Sequence, residues 1–227
     1  MRNGKVIPKA RVYRDVAARR QHPPVIPSTA RGQLTRQRLM EAAIQVIEER
    51  GIAEARVEEI TRRVGCGYGT FYKYFSSKID LVRQVMTEVY DEIHRKSFPL
   101  DSDQEDLEDL VRTGVTNMVE VIKKHRKILL TLERAVGLDS NLLELRNRLL
   151  HRDVEELERR IRMLEDAGYG FELDPFATSL ALNGMVEETA RRWLLYEDRL
   201  SEEVFIATIV GIFSATLLRK KKVREKS

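Results

Sequence analysis

The stretch Gly65 to Lys78, GCGYGTFYKYFSSK, concentrates hydroxyl, aromatic and cationic side chains around glycines. Tyr68, Thr70 and Tyr72 offer hydroxyl donors, Lys73 and Lys78 offer cations, and Gly69 has no β-carbon. That mixture suits contact with a polyanion better than it suits a core. Hydroxyls that donate to phosphate oxygens fix register on a duplex without reading its sequence. Tyr72 can also lay its ring against a thymine methyl, which is direct readout. Tyr68 can donate one hydrogen bond but cannot form a bidentate pair, so the base it prefers stays open. Phe71 and Phe75, four residues apart, fall on one helical face and read as a small core.

The surrounding residues supply the elements that would hold these groups. Val57, Ile60 and Val64 share one face of a short helix. Gly65-Cys66-Gly67 follows, where a sharp reversal needs backbone freedom. A second short helix then carries the tyrosines. Ser77 and Asp80 form an S-x-x-D pattern that opens a third helix, whose free N–H groups and Lys78 would face a phosphate. This is a helix-turn-helix with its second helix suited to a DNA groove. Glu58 and Glu59 are expected to point away from DNA. Cys66, the lone cysteine, excludes a disulfide within the chain and a thiol metal cluster; it reads as a small filler of the turn rather than a redox switch.

The run GCGYGTFYKYFSSKIDL resembles the signature of the tetracycline-repressor (TetR) family of regulators, through Gly65, Gly69, Thr70, Tyr72, Phe75, Ser77 and Lys78. TRQRLMEAAIQVIEERG, from Thr35 to Gly51, is similar to the family's first helix, and the resemblance runs from about Leu34 to Met86. It implies DNA contacts from Arg56, Tyr68, Gly69, Thr70, Tyr72, Lys73, Tyr74 and Lys78. Two positions depart from the pattern. Arg56 stands where relatives commonly place a capping threonine, losing a cap of about 1 kcal/mol but adding a cation near the DNA backbone. Tyr74 replaces a frequent histidine; it can hydrogen-bond a phosphate but cannot be cationic.

Composition and patterning predict an all-α chain. Prolines and glycines are few, and no alternating stretch is long enough for a sheet. Four parts are expected: a flexible basic arm over 1–33, the DNA-binding domain over 34–80 with its motif at about 56–75, a helical ligand-binding and dimerisation domain over 81–218, and a basic tail over 219–227. The net charge of +4 hides a division: the arm carries eight Lys/Arg against Asp15 alone and the tail six against Glu225, so the body is acidic. Such ends suit a chain that grips DNA at one end and keeps the other off it. Prolines 8, 23, 24 and 27 mark the arm as flexible. It lacks an uninterrupted apolar core and so is not a secretory signal. It reads either as a reach into the minor groove or as a tail adding non-specific, salt-sensitive attraction.

Beyond Lys78 the periodicity predicts helices to about Ser97, from an acidic opening at Asp101 to about Lys124, over Arg126 to Val136, over Ser140 to Ala167, from Asp174-Pro175 to about Tyr196, and over Ser201 to Lys220. That makes roughly nine helices, the number the resemblance implies. VFIATIVGIFSATLL, from Val204 to Leu218, spans only about 22 Å as a helix against a hydrocarbon core of about 30 Å, so a membrane anchor is not expected. With Leu180 to Leu195 it resembles the helix pair by which TetR-like proteins form homodimers; Leu180, Leu195, Phe205, Ile209, Ile212, Phe213 and Leu217 are the residues this implies.

The resemblance further implies a cytoplasmic regulator, most simply a repressor. Its two recognition helices would enter successive major grooves of a near-palindromic operator about 34 Å apart. A small molecule bound in the second domain would swing the fourth helix and release the DNA, and the two ligands must then oppose each other reciprocally. Met86, Met118, Ile122, Met163, Phe176, Met185 and Trp193 are candidate linings for that effector, and methionine's adaptability suggests a lipophilic or aromatic compound; ordinary core is the alternative for each. No cofactor or metal is expected, since the four histidines lie apart and neither H-E-x-x-H, G-x-S-x-G nor a P-loop pattern occurs. An all-helical enzyme, or a helical adaptor that retains the motif without operator function, is the alternative. DNA retention that falls steeply with salt separates both from a regulator.

Overall fold

The computed structural model describes residues 27–99, 106–137, 139–169, 173–195 and 200–218. Most of the basic arm and all of the C-terminal tail lie outside the described residues. Among the described residues nine helices follow in order: α1 (Ala30–Glu54), α2 (Val57–Val64), α3 (Tyr68–Tyr74), α4 (Lys78–Ser97), α5 (Leu107–Lys124), α6 (Arg126–Val136), α7 (Ser140–Asp166), α8 (Pro175–Leu195) and α9 (Glu202–Leu217). The chain divides into two compact units at Val85/Met86, within α4.

In the first unit α1 packs on α2 and α2 on α3. The Thr29 hydroxyl caps α1 by accepting from the Gly32 N–H at 3.1 Å. Near its other end Gly51 takes φ 81°, ψ 164°, a left-hand excursion that glycine makes without a β-carbon clash. α2 ends where Gly65 adopts φ 72° in the left-handed region, so the turn needs glycine. Leu39, Ala43, Val46 and Ile47 of α1, Ile60 of α2, Phe71 of α3, Phe75, and Leu81 and Val82 of α4 are all almost completely withdrawn from water and make up the core of this unit. Burying side chains of this size stabilises by about 1.5–3 kcal/mol each. That core fixes the orientation of a seven-residue α3, too short to be stable alone.

The second unit is a bundle in which α7 packs on α8, α5 on α9 and α6 on α7. Leu157 and Ile161 of α7, Leu182 of α8 and Leu217 of α9 form one buried cluster, joined by Phe98, Met185 and Phe213. Trp193 stacks on Phe205 at 5.1 Å and donates its indole N–H to the Leu200 carbonyl. Helix starts are capped as their sequences require: Asp106 accepts from the Glu108 N–H, Asp139 from Asn141 and Leu142, Asp174 from Ala177 and Ser201 from Val204. Among the described residues α5 begins at Leu107, inside the acidic opening expected from Asp101, of which residues 101–105 lie outside the described residues. Gly168 at φ 85° follows the end of α7.

The apolar α9 is 16 residues long, and no helix among the described residues is long and apolar enough to cross a membrane. Its apolar residues divide between two sides. Phe205, Ile209 and Leu217, expected at a dimer interface, are 5% exposed or less within the single chain and so belong to its own core. Phe213 is half-buried against the cluster. What remains outward is Val204, Thr208, Gly211 and Ile212 on α9, with Phe176, Leu180, Ala181 and Gly184 on α8. The Leu195 side chain lies outside the described residues.

Candidate nucleic-acid interface and ligand cavity

The short α3 sorts its residues cleanly. Phe71, Tyr74 and the following Phe75 turn inward, whereas Tyr68, Gly69, Tyr72 and Lys73 are exposed and Thr70 is half-buried. Tyr68 and Tyr72, one turn apart, share a hydroxyl–hydroxyl hydrogen bond of 2.9 Å with ring centroids 5.1 Å apart. The Tyr72 ring also stands edge-on to Phe71. A β-carbon placed on Gly69 would meet nothing within 4 Å. The open side of α3 can therefore approach a flat or grooved partner closely, with two phenols and an ammonium around it. Arg56 sits exposed at the start of α2 without a side-chain cap.

Two residues depart from the expected role. Tyr74 is only 5% exposed; its ring lies in the core and its hydroxyl beside Gly32 at the start of α1. It braces α3 against α1 rather than presenting a donor outward. Lys78 donates its ammonium to the carbonyls of Ala53 and Ala55, both at 3.1 Å. It satisfies acceptors at the C-terminal end of α1, where helix carbonyls lack partners, instead of reaching for a phosphate. The capping box also differs by one residue. The Ser77 hydroxyl accepts from the Asp80 N–H as anticipated, but the Asp80 carboxylate accepts from the N–H and hydroxyl of Ser76.

Acidic residues near the motif are held by arginines. Glu59 pairs with Arg50 and Arg63, and Arg63 pairs also with Glu49. Glu58 is exposed in the first turn of α2, where its charge complements the helix dipole. Cys66 is half-buried, and burial pushes its thiol pKa up, which opposes thiolate reactivity.

The second unit holds a partly open cavity of about 730 Å³, within the range of small-molecule sites. Of the seven residues expected to line it, Met118, Ile122 and Met163 do so. The other four do not. Met86 is fully buried core, Met185 packs against the leucine cluster, Trp193 is buried against Phe205, and Phe176 is 43% exposed on the outer side of α8. Most of the wall is apolar, from Leu110, Val111 and Val115 of α5, Leu157 of α7, and Phe213 and Leu217 of α9.

One wall is polar, and sequence reading missed it. Tyr90 of α4, Glu133 of α6, Asp153 of α7 and Glu187 of α8 all line the cavity. Arg146 of α7 donates to both oxygens of Glu133 at 3.0 and 3.2 Å and reaches Glu187 only at 3.9 Å. Its Nε is buried without a partner among the described residues. His94 hydrogen-bonds Asp153, and Arg152 pairs with Asp91 while reaching the Tyr90 carbonyl. The Tyr90 hydroxyl takes part in none of these bonds. Burial, then the Glu133 charge, holds the phenol well above its ordinary pKa, with Arg146 opposing. Burial likewise raises Glu187, against Arg146, and Asp153, against His94. No local signal announced this wall, because its members come singly from four helices. Among the described residues no group of His, Cys, Asp and Glu is arranged to hold a metal.

Comparison with known proteins adds to this geometry. Residues 39–85 match the family model described as bacterial regulatory proteins, tetR family. The uncharacterized HTH-type transcriptional regulator YvdT of Bacillus subtilis is 27% identical over 110 residues, 47% of this chain and 55% of that relative. The chain thus spans about half the length of that relative. The fatty acid metabolism regulator protein of Bacillus subtilis is 25% identical over 188 residues, 77% of this chain and 93% of that one. A tetR-family crystal structure from Rhodococcus sp. superposes with a TM-score of 0.68 at 19% identity, covering 82% of this chain and 99% of its own; at that identity it shows the all-helical fold alone. The family match falls on the helices that present Tyr68, Gly69 and Tyr72, so over residues 39–85 the chain is similar to bacterial regulatory proteins of the tetR family.

Proposed function

We propose that the protein acts in the cytoplasm as a homodimeric repressor that binds a near-palindromic operator and is released by a small, largely apolar molecule. The observation that carries this reading is the division of α3. Its inner face is buried with Phe71 and Phe75, and its outer face offers Tyr68, Gly69, Tyr72 and Lys73 on a rigid support. Tyr72, Thr70 and Lys73 would contact phosphates, Tyr68 and the Tyr72 ring would meet base edges, and Arg56 would lie along the backbone. Tyr74 and Lys78 would act indirectly, by holding α3 and the end of α1 in place.

The outward apolar strip on α8 and α9 supports pairing with a second copy. Leu180 is 51% exposed, Val204 52% and Ile212 38%, with Ala181, Gly184 and Gly211 between them. Small residues among larger apolar ones let helices approach closely, and an uncovered strip of this kind marks an interaction face. The cavity supports ligand response, and α4 supports coupling. It begins in the DNA-binding unit, and its later residues Tyr90, Ile93 and Ser97 line the cavity. A ligand that favours one position of these residues changes what α4 transmits, to the extent that it binds one conformer better.

The test is equilibrium binding of the purified chain to random-sequence-selected duplex DNA, with mass measured by light scattering. Saturable binding of two chains per inverted repeat supports the reading. Binding by a monomer, or sequence-blind retention that disappears with salt, overturns it and returns the adaptor alternative.

A further inference from the structure

The cavity carries more chemical information than its volume. Resting on the regulator reading above, we infer that its ligand is an organic cation with an apolar body, whose charge sits between Glu187 and Tyr90. The argument begins with charge. Glu133 and Glu187 share one guanidinium, that of Arg146, which is spent in a two-oxygen bond to Glu133 and stands 3.9 Å from Glu187. Two carboxylates against one cation leave a negative charge on this wall. The unpartnered Nε of Arg146 does not offset it, because the group carries one charge however its donors are used. Asp153 adds a third carboxylate, bonded to the His94 imidazole. The neighbouring Asp91–Arg152 pair is neutral in sum.

Three arginines also line the cavity, and each bonds a carboxylate outside the lining. Arg159 and Arg160 both bond Glu156, and Arg160 lies over the Phe98 ring while donating to the Pro99 carbonyl. Arg191 forms a two-bond pair with Glu188. Glu156 thus serves two guanidiniums, and Glu188 serves Arg192 as well as Arg191, so the charge there is positive on balance, and Arg191 also acts on Glu187. Around Tyr90 the balance is reversed, with Glu133, Glu187 and Asp153 against Arg146, and a cation placed beside this phenol displaces no existing pair.

Geometry completes the assignment. The Tyr90 phenol lies among Glu133, Glu187 and Asp153, and an aromatic face beside carboxylates attracts a cation through both its quadrupole and their charge. Burial disfavours the charged form of Glu187 in the empty protein, and a bound cation relieves that cost. The remaining wall, with Val111, Val115, Met118, Phe213 and Leu217, is apolar and accepts an alkyl or aromatic body. A cation there touches α4, α6, α7 and α8 together, so the same charge that selects the ligand also ties Tyr90 of α4 to the bundle.

Calorimetry on the full-length protein at neutral pH tests this with three ten-carbon probes: decyltrimethylammonium, decanol and decanoate. The ammonium should bind once per protomer, about 30-fold or more tighter than decanol. Glu187→Gln should weaken the ammonium about tenfold or more while leaving decanol within about twofold, which shows that the cavity is intact. The ammonium should also release selected operator DNA. Tighter binding of decanoate, or an ammonium affinity unmoved by Glu187→Gln, overturns the assignment. If decanoate or decanol releases the DNA instead, the charge assignment fails and the regulator reading stands. If the wild type binds the ammonium with these ratios but never binds an operator, the site stands and the regulator reading fails.

Discussion

Replacing Tyr72 by alanine removes the outer phenol of α3 while leaving the core behind it in place. Tyr72 is 39% exposed, and its hydroxyl bond to Tyr68 faces solvent, so that bond contributes little to folding. The edge contact with Phe71 at 5.1 Å is the larger loss, about 0.5–1.5 kcal/mol for an aromatic pair. A drop of this size lowers Tm by a few degrees and leaves the protein folded. On DNA the account differs. A hydroxyl donating to a charged phosphate contributes about 1.5 kcal/mol, and a dimer uses two, so the complex loses about 3 kcal/mol, on the order of 100-fold in affinity. Tyr72→Phe separates the terms: it keeps the edge contact and the Tm, and loses the hydroxyl's share of binding. Because neither variant changes charge, the dependence of affinity on salt should keep its slope, whereas Lys73→Ala should reduce it. Fluorescence anisotropy on a selected operator, with a thermal melt for each variant, measures all of this. A folded, dimeric Tyr72→Ala that binds operator with wild-type affinity would refute the proposed docking of α3.

Three further outcomes are expected. Gly69→Ala meets open space and ordinary helical backbone, so thermal stability should hold or rise slightly while operator affinity falls about tenfold because the new methyl stands toward the groove; a melt and an anisotropy titration on the same sample check it. Gly114→Ala places a β-carbon 2.4 Å from the Ser97 carbonyl oxygen, which should destabilise the second unit by about 1–3 kcal/mol in urea titration. Hydrogen bonds from Arg159, then Arg160, hold Glu156 down at about 2, against burial. A folded pKa below the unfolded value means that its contribution is complete above the ordinary carboxylate range and is lost as pH falls toward 2; Glu156→Gln should therefore flatten the acid limb of a stability-versus-pH curve.

How much of this could be read in advance depended on how local the cause was. α6 and α7 were legible to within a residue because their boundaries are written in adjacent caps and breakers such as Asp139 and Gly168. The start of α5 was legible only as a region, since the acidic run from Asp101 to Asp109 offers several equivalent caps, of which Asp106 is the one seen among the described residues. On α3 the alternation of inward phenylalanines with Tyr68, Gly69 and Tyr72 is visible at helical spacing. Tyr74 and Lys78 escaped because their roles are set by α1, some twenty or more residues away in sequence. α9 is apolar on nearly every side, so nothing in its own residues distinguished Phe205 and Ile209, which are buried in the chain's own core, from Val204 and Ile212, which are exposed. The polar wall of the cavity is the extreme case: Tyr90, Glu133, Asp153 and Glu187 become a group only after four helices have packed.

The central claim, that α3 reads an operator as one of a symmetric pair, is met most directly by selecting bound sites from a random duplex library with the purified protein at moderate salt. The account predicts an enriched inverted repeat whose half-sites lie about one helical turn apart or a small extension of it, lost when the selection is repeated with Tyr72→Ala. Enrichment of no sequence, with retention that vanishes as salt is raised, would contradict it and leave the basic ends of the chain as the only source of DNA binding.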